Sequence, residues 1–206
     1  MSHPRTSRRR APIAAVALLA VLAAPSAVRA QAGVTPAVTR PAPEARGAVA
    51  ASAMVAVLDV RFVRELANAV QPSDTLVAPE ASLALRAHLA AAPGVTVMDS
   101  AGLASALASP AVVAAAGGKP CGAVPACLRA VQQATGAGWV AAGKLTKISS
   151  LVWIYGAQLL DGSTGRLVMD DEYEVKGAAG DMAEMGTRVF ARRAVRKMVG
   201  EGSATP

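Results

Sequence analysis

Two cysteines are the residues best placed for chemistry in this chain of 206 residues. Cys121 and Cys127 stand just ahead of a predicted helix, and no other cysteine is present. In an oxidising compartment such a pair most often forms a structural disulfide, which would restrict the unfolded chain by about 2 kcal/mol. A redox-active pair and two free thiols stay open as alternatives, although the thioredoxin-like spacing is missing. Two cysteines and one histidine after residue 30 are too few for a zinc site.

Other polar residues offer little support for catalysis. His88 would need a nucleophile or an acid as its partner to act as a general base, and no motif supplies one, so a histidine on a helix surface is expected. Asp170, Glu172 and Glu174 alternate along a predicted strand and could hold calcium, but a solvated sheet face explains them as well. Nucleophile-elbow and metalloprotease patterns are absent. We therefore predict no enzymatic activity, no cofactor and no metal.

A basic stripe is the first candidate for an interaction surface. Arg188, Arg192 and Arg196 recur every four residues on the predicted final helix and could meet an acidic partner or phospholipid headgroups. A solvated outer face, opposite Met185 and Phe190 on the same helix, explains these arginines without any function.

The first 30 residues have the pattern of an export signal. Five arginines and no acid lie among them, and residues 11–28 form an uncharged run rich in Ala, Val and Leu. Cleavage is expected between Ala30 and Gln31, which predicts a periplasmic protein exported by the general secretory route. A retained membrane anchor is the alternative; after cleavage no stable membrane insertion is expected.

Composition excludes nucleic acid as the main partner. The formal net charge is +7, but beyond residue 30 sixteen basic residues face 14 acidic ones, a net charge of only +2. Aromatic residues make up 3% of the chain, too few for a base-stacking platform. Residues 31–52, rich in Pro, Ala and Gly, predict a flexible linker, and residues 200–206 predict a disordered tail. One domain over residues 53–199 is left between them.

Hydrophobic periodicity predicts an α+β domain, an α/β sandwich with helices packed on a mixed sheet. Short turns join the last three strands, so these strands form an antiparallel meander. Asp181 and Glu184 have the spacing of a capping box at the start of the final helix. The predicted strands are 54–60, 95–98, 139–147, 151–160 and 166–175; the predicted helices are 79–91, 100–107, 125–135 and 181–199, with a loop or frayed helix over 109–118.

The middle strand of the meander carries apolar residues on both faces. Trp153 and Tyr155 share one side with Leu159, while Ile154 and Leu160 share the other. Helices over both faces would make Trp153 and Tyr155 core residues. If one face stays open, the two aromatic residues would instead form an exposed patch suited to partner docking.

Several of these segments together resemble a bacterial envelope fold. They are the strand that ends at Asp59, the strand and turn Val95-Thr-Val-Met-Asp99, the cysteine pair, and Gly136-Ala-Gly-Trp-Val-Ala-Ala-Gly-Lys-Leu-Thr-Lys147. Similar patterns occur in the amino-terminal domain of TolB, the curli secretion channel subunit and the lipoprotein activators of penicillin-binding proteins. The chain is most similar to the periplasmic family called domain of unknown function 2380, whose order of helix, strands and turns is matched by residues 136–196.

The resemblance implies a TolB amino-terminal-like fold and a role in adaptor or assembly contacts, with no reaction or cofactor to carry over. We therefore expect a non-catalytic periplasmic protein that contacts an envelope protein whose identity, like the oligomeric state, is unknown. The alternative is a small-ligand-binding protein or an enzyme whose site forms only on folding. A deep pocket around Asp59, His88 or Asp99 would favour that alternative.

Overall fold

The computed structural model describes residues 52–63, 70–149 and 152–200. The predicted signal segment, the predicted linker up to residue 51 and the predicted tail after residue 200 lie outside these ranges. The strands are β1 (Ala53–Val57), β2 (Arg61–Val63), β3 (Val95–Val97), β4 (Trp139–Lys147), β5 (Val152–Asp161) and β6 (Arg166–Lys176). The helices are α1 (Val77–Ala90), α2 (Ser100–Leu107), α3 (Pro110–Ala115), α4 (Pro125–Thr135) and α5 (Ala179–Gly200), with a 3₁₀ helix over Pro72–Leu76.

The described strands form one mixed sheet in the order β3-β1-β4-β5-β6. β1 runs parallel to both β3 and β4, whereas β4, β5 and β6 are antiparallel neighbours. β2 also pairs with β4 in parallel, further along the same edge as β1. The predicted mixed sheet with a three-strand antiparallel meander is confirmed.

Each face of the sheet has its own hydrophobic core. One core joins α1 and α5 to the sheet through buried residues such as Leu85, Leu159 and Phe190. The other joins α2, α3 and α4 to Ala56, Val140 and similar positions. Because β-strand side chains alternate between faces, the apolar runs of the central strands supply both cores. The predicted sandwich is therefore present, with helices on both sides.

Local capping explains several helix boundaries. The Asp99 side chain accepts a hydrogen bond from the backbone N–H of Gly102 at the start of α2, and Ser109 caps α3 in the same way. Gly136 ends α4 with φ of 66°, a left-handed conformation that favours glycine. No helix within residues 52–63, 70–149 and 152–200 has the length and apolar character needed to span a bilayer.

The observed elements differ from the predicted ones in β2, in residues 110–115 and in the starts of α5 and α1. The prediction did not include β2. Residues 110–115 form a regular helix, where a loop or a frayed helix was expected. α5 begins at Ala179, so Asp181 lies inside its first turn and does not cap it; the capping-box prediction is wrong. α1 begins two residues before Pro79, directly after the 3₁₀ helix.

Candidate functional site

The two cysteines are joined in a disulfide that closes a loop ahead of α4. Their Cα atoms lie 5.8 Å apart, and Cys127 is buried beside Leu128 in the core under α4. Pro125 occupies the first turn of α4, where a missing N–H removes no helical hydrogen bond. The bridge therefore ties the loop to the first turn of α4, and both cysteines of the chain are used in it.

A groove of about 680 Å³ lies beside this loop. β2 contributes Phe62 and Val63 to its lining, and the loop contributes Val124, which is 53% exposed. The apolar part of the lining is thus partly open to solvent. An open concavity with apolar lining is a candidate binding site.

Positive charge surrounds the groove. Arg61, Lys119 and Lys144 line it, and none of the lining residues that the structure describes is a carboxylate. Lys144 pairs with Glu172, their Nζ and Oε1 atoms 3.0 Å apart, whereas Arg61 and Lys119 have no ion-pair partner within the described ranges. The groove therefore presents two cations that an acidic ligand could neutralise.

Gly122 and Arg61 pack closely at the groove. A Cβ atom on Gly122 would lie 2.9 Å from Cδ of Arg61, so any other residue at position 122 would displace the arginine stem. Sequence reasoning missed this contact because Gly122 and Arg61 are remote in sequence and β2 was not predicted. The available signal was the glycine directly after Cys121.

Next to the groove, one half of the sheet face carries a network of charges. Lys144, Gly156 and Glu172 stand in register on β4, β5 and β6. A Cβ atom on Gly156 would lie 2.6 Å from Cε of Lys144, so the glycine lets the lysine cross the middle strand to reach Glu172. This arrangement keeps that part of the face polar and uncovered.

The three alternating carboxylates of β6 lie on this face. Asp170 accepts a hydrogen bond from Nε2 of Gln158 at 3.1 Å, and Glu174 pairs with Lys176 at 3.3 Å. No group of three or more potential metal ligands comes together among the described residues. Each of these three carboxylates therefore interacts with a neighbouring amide or ammonium group.

The residues of the predicted alternative, a site around Asp59, His88 or Asp99, do not converge. Asp59 accepts a hydrogen bond from Nη2 of Arg86 at 2.8 Å, and Asp99 caps α2. Nε2 of His88 lies 3.0 Å from Oε1 of Glu184, and this contact links α1 to α5. The distance is that of an ion pair, but the two groups do not have the geometry of a hydrogen bond. Each group therefore has a separate structural environment.

The basic stripe of α5 faces solvent. Arg188, Arg192 and Arg196 are exposed, and none has an ion-pair partner within the described part of the chain. Met185 and Val199 are exposed on the same side of the helix, so the expected position of Met185 opposite the arginines is wrong. Phe190 is fully buried, as expected for the opposite side. The stripe therefore combines cations with apolar groups.

Trp153 and Tyr155 are core residues and not surface residues. Both are buried under α1 and α5, which corrects their assignment as candidate interaction residues. The ring of Tyr155 fits closely between Gly143 and Gly186, where any Cβ atom would lie within about 3.0 Å of it, and it stacks on Tyr173 at 6.3 Å. Burial, and to a lesser extent Tyr173, raises the pKa of the Tyr155 hydroxyl.

A buried ion pair was not predicted. Nζ of Lys147 lies 2.7 Å from Oδ2 of Asp74, with both side chains less than a tenth exposed, and 5.6 Å from the ring centroid of Trp153. Burial alone would raise the pKa of Asp74, but hydrogen bonds from Lys147 and the backbone of Gln71 outweigh it and lower that pKa. The signal was strand alternation, which places Lys147 on the same face as buried Leu145.

Among the comparisons with known proteins, only the comparison with solved structures finds similar proteins. No family model matches the chain, and no curated protein matches it, so the link to domain of unknown function 2380 stays a resemblance. The chain is similar to the LpoB C-terminal domain from Salmonella enterica, at 18% identity over 64% of this chain and 87% of that one, with a TM-score of 0.43.

Two further similar structures are larger or assembled proteins. TolB from Acinetobacter baumannii is 13% identical over 72% of this chain and 29% of that one, with a TM-score of 0.45. The PelC dodecamer from Paraburkholderia phytofirmans is 14% identical over 68% of this chain and 87% of that one, with a TM-score of 0.40.

Proposed function

We propose that this protein is a non-catalytic component of the bacterial periplasm that acts by contact with another envelope protein. The single observation that carries the proposal is the groove beside the Cys121–Cys127 loop, which joins exposed apolar groups to two cations, Arg61 and Lys119, that have no ion-pair partner among the described residues. Catalysis would require acids, bases or nucleophiles that converge, and Asp59, His88 and Asp99 each have a separate environment instead.

The proposed compartment rests on two independent features. The basic leader followed by an apolar run in residues 1–30 has the organisation of an export signal. A disulfide between the only two cysteines is stable in an oxidising compartment such as the periplasm and is rarely kept in the cytosol.

The chemistry of the groove defines the partner segment. Val63 and Val124 would bury an apolar side chain, which supplies most of the affinity at a contact of this kind. Arg61 and Lys119 would meet carboxylates, which orient the segment and speed its association. We therefore propose a segment of an envelope protein that carries one apolar anchor flanked by acidic residues.

The test is crosslinking in living cells with a photoreactive amino acid placed at Ala123 on the rim of the groove. The expected result is a specific adduct with one envelope protein. Val124→Asp and Lys119→Glu should each reduce its yield at least about tenfold, because they remove apolar contact area or reverse a charge.

Val113→Asp is the matched control for these variants. Val113 is also an exposed valine, 48% accessible on α3, but it does not line the groove. Its substitution should leave the adduct unchanged. An adduct that none of the groove substitutions affects would contradict the proposal.

A small apolar anion is the alternative occupant of the same groove. It would be released as a low-mass compound when the purified protein is denatured, and Val124→Asp would abolish its binding. That result, together with no protein adduct from Ala123, would replace protein contact with ligand binding as the function.

A further inference from the structure

The helices α1 and α5 form one outer layer of the protein. Both pack on the same hydrophobic core at one face of the sheet, and Nε2 of His88 on α1 lies 3.0 Å from Oε1 of Glu184 on α5. The outward sides of the two helices therefore face the same direction, away from the sheet. α2, α3 and α4 cover the opposite face, where the cysteines of the disulfide-loop groove lie.

The outward side of α5 combines cations with exposed apolar residues. An α-helix turns by about 100° per residue, so five exposed residues of α5 fall within a sector of about 80° on its outer side. These residues are Met185, Arg188, Arg192, Arg196 and Val199. The three arginines stand between the two apolar residues along the helix.

The three arginines of this sector can meet an anionic partner. None of them has an ion-pair partner in the described part of the chain, whereas Arg193, on the side of the helix toward β6, already pairs with Asp171 at 3.1 Å. The three stand about one helical turn apart and form a row about 12 Å long. A solvated helix face typically mixes acids with bases, but residues 185–199 contain no acid.

The outward side of α1 adds apolar surface to the same layer. Leu76, at the start of the helix, and Leu83, two turns later, are 62% and 68% exposed, the highest values among the large apolar residues that the structure describes. Ala87 and Ala90 continue this side and are exposed as well. Exposed leucines beside a row of arginines join hydrophobic to electrostatic attraction, which is the composition of helices that lie on membrane surfaces.

The exposed carboxylates of the layer lie away from the arginine row. Glu80 stands in the first turn of α1 and Asp181 in the first turn of α5. Glu184 follows within the next turn of α5 and faces His88. The part of the layer formed by Leu83 and the later half of α5 is therefore cationic and apolar.

We propose that the outer side of the α1–α5 layer binds reversibly to the surface of an anionic phospholipid bilayer. Arg188, Arg192 and Arg196 donate hydrogen bonds to lipid phosphates, which guanidinium groups bind in a bidentate manner. Leu83 and Met185 enter the headgroup region beside them. Both helices lie along the bilayer surface and do not cross it.

A bilayer fits this surface better than an acidic protein segment does. The surface is formed by the outward sides of two helices, so it is convex and suits a broad, flat partner. Phospholipids move laterally, so each arginine meets a phosphate without any matched pattern of charges. A protein segment would have to carry carboxylates along the arginine row and apolar groups opposite the leucines of the neighbouring helix. The proposal does not depend on the function proposed for the disulfide-loop groove.

The test measures how protein isolated from the periplasmic fraction sediments with phospholipid vesicles. One set of vesicles contains equal parts of phosphatidylglycerol and phosphatidylcholine, and the other contains phosphatidylcholine alone. The affinity for the anionic vesicles should be at least about tenfold higher and should fall as salt is added, because the attraction is electrostatic.

Substitutions in the layer measure the two kinds of attraction separately. Arg188→Glu, Arg192→Glu and Arg196→Glu together should lower the affinity for anionic vesicles by about a hundredfold, since each cation near the surface contributes a factor of about five. Leu83→Ser should lower it by about tenfold through the loss of buried apolar area. All variants share the same N-terminus, so differences between them report on α1 and α5 alone.

Matched controls lie away from the layer. Val113→Ser removes an exposed apolar side chain of α3, on the opposite face of the sheet, and should leave the affinity unchanged. The combined reversal of Arg129, Arg166 and Lys176 to Glu changes the net charge as the α5 reversal does. It should have little effect at physiological salt, where charges more than about 8 Å from the lipid are screened.

A lipid with a paramagnetic headgroup locates the contact on the protein. In isotope-labelled protein bound to anionic vesicles, this lipid should broaden the amide signals of residues 83–90 and 185–199. The signals of residues 110–115, in α3, should stay sharp.

Four results would overturn the proposal. Equal affinity for the two kinds of vesicle would remove the role of lipid charge, and equal loss of affinity in the two triple reversals would leave only net charge. Broadening outside α1 and α5 would place the contact elsewhere. If the protein bound neither kind of vesicle although the α5 reversal weakened its association with the cell envelope, an acidic envelope protein would be the occupant. None of these results bears on crosslinking at the disulfide-loop groove.

Discussion

At the scale of single residues, the hydroxyl of Tyr155 is a buried polar group that bonds to none of the described residues. It is fully buried, and no hydrogen-bond partner is found for it among the described residues. A buried hydroxyl without a partner costs about 1 to 3 kcal/mol. Tyr155→Phe should therefore leave the free energy of unfolding unchanged or raise it by about 1 kcal/mol, measured by urea denaturation.

Tyr173→Phe is the control for this prediction. The hydroxyl of Tyr173 donates a hydrogen bond to Oδ2 of Asp171 at 2.7 Å, so its removal should lower the free energy of unfolding by about 1 kcal/mol. If Tyr155→Phe were the more destabilising of the two substitutions, the hydroxyl of Tyr155 would have a hydrogen-bond partner after all.

The buried Asp74–Lys147 pair should make stability depend on acidic pH. The pKa of Asp74 is lowered from 3.8 in the folded protein, so its contribution is complete above about pH 3.8 and is lost as pH falls through the lower folded pKa. Asp74→Asn should lower the free energy of unfolding by about 3 kcal/mol at pH 7, because a buried ammonium loses its carboxylate.

Denaturation of both proteins from pH 7 to pH 2 measures this dependence. The difference between the original protein and Asp74→Asn should shrink as pH falls below 3.8. Other titrating carboxylates act on both proteins and cancel in the difference. A difference that stays constant over the whole pH range would mean that the pKa of Asp74 is the same in the folded and the unfolded protein.

At the scale of elements, local signals were sufficient for the meander. β4, β5 and β6 agree with the predicted ranges to within one residue, because strand alternation and short turns are properties of adjacent residues. β2 could not be predicted in this way, since it has three residues and pairs with β4 about 80 residues later in the chain. Its position depends on tertiary pairing that no local pattern contains.

The candidate sites as a whole were only partly predictable for the same reason. The disulfide and the exposed arginines of α5 follow from residue type and spacing in the sequence. Arg61 and Lys144 meet at the groove only because β2 lies beside β4, and Lys144 is directed by Gly156 across the middle strand. The burial of Trp153 depended on which sheet face α1 and α5 cover, which sequence reasoning left open.

At the scale of the whole molecule, charge is separated although the net charge after residue 30 is only +2. Carboxylates dominate the open face of β6, while cations collect at the disulfide-loop groove and on the outside of α5. Net charge alone therefore underestimates how strongly each surface can attract a partner. The position of a charge on the folded surface, which composition does not contain, determines its effect.

The outer stripe of α5 gives the last prediction, because its charges face solvent over almost the whole length of the helix. We expect that reversing Arg188, Arg192 and Arg196 to Glu weakens association of the protein with the cell envelope by about tenfold or more, since three cations beside exposed Met185 change sign. Stability should change by less than about 1 kcal/mol, because no described ion pair is broken. Fractionation of envelope and soluble periplasmic proteins measures the association.

The control reverses three other exposed cations away from α5, Arg129, Arg166 and Lys176, and so changes the net charge by the same amount, with the loss of one surface pair between Lys176 and Glu174. Weaker association in both variants would show that net charge alone acts. Unchanged association after the α5 reversal would mean that the stripe is only a solvated face. Weakened association in the α5 variant alone would identify this stripe as a contact surface, for which Met185→Ser then measures the apolar contribution.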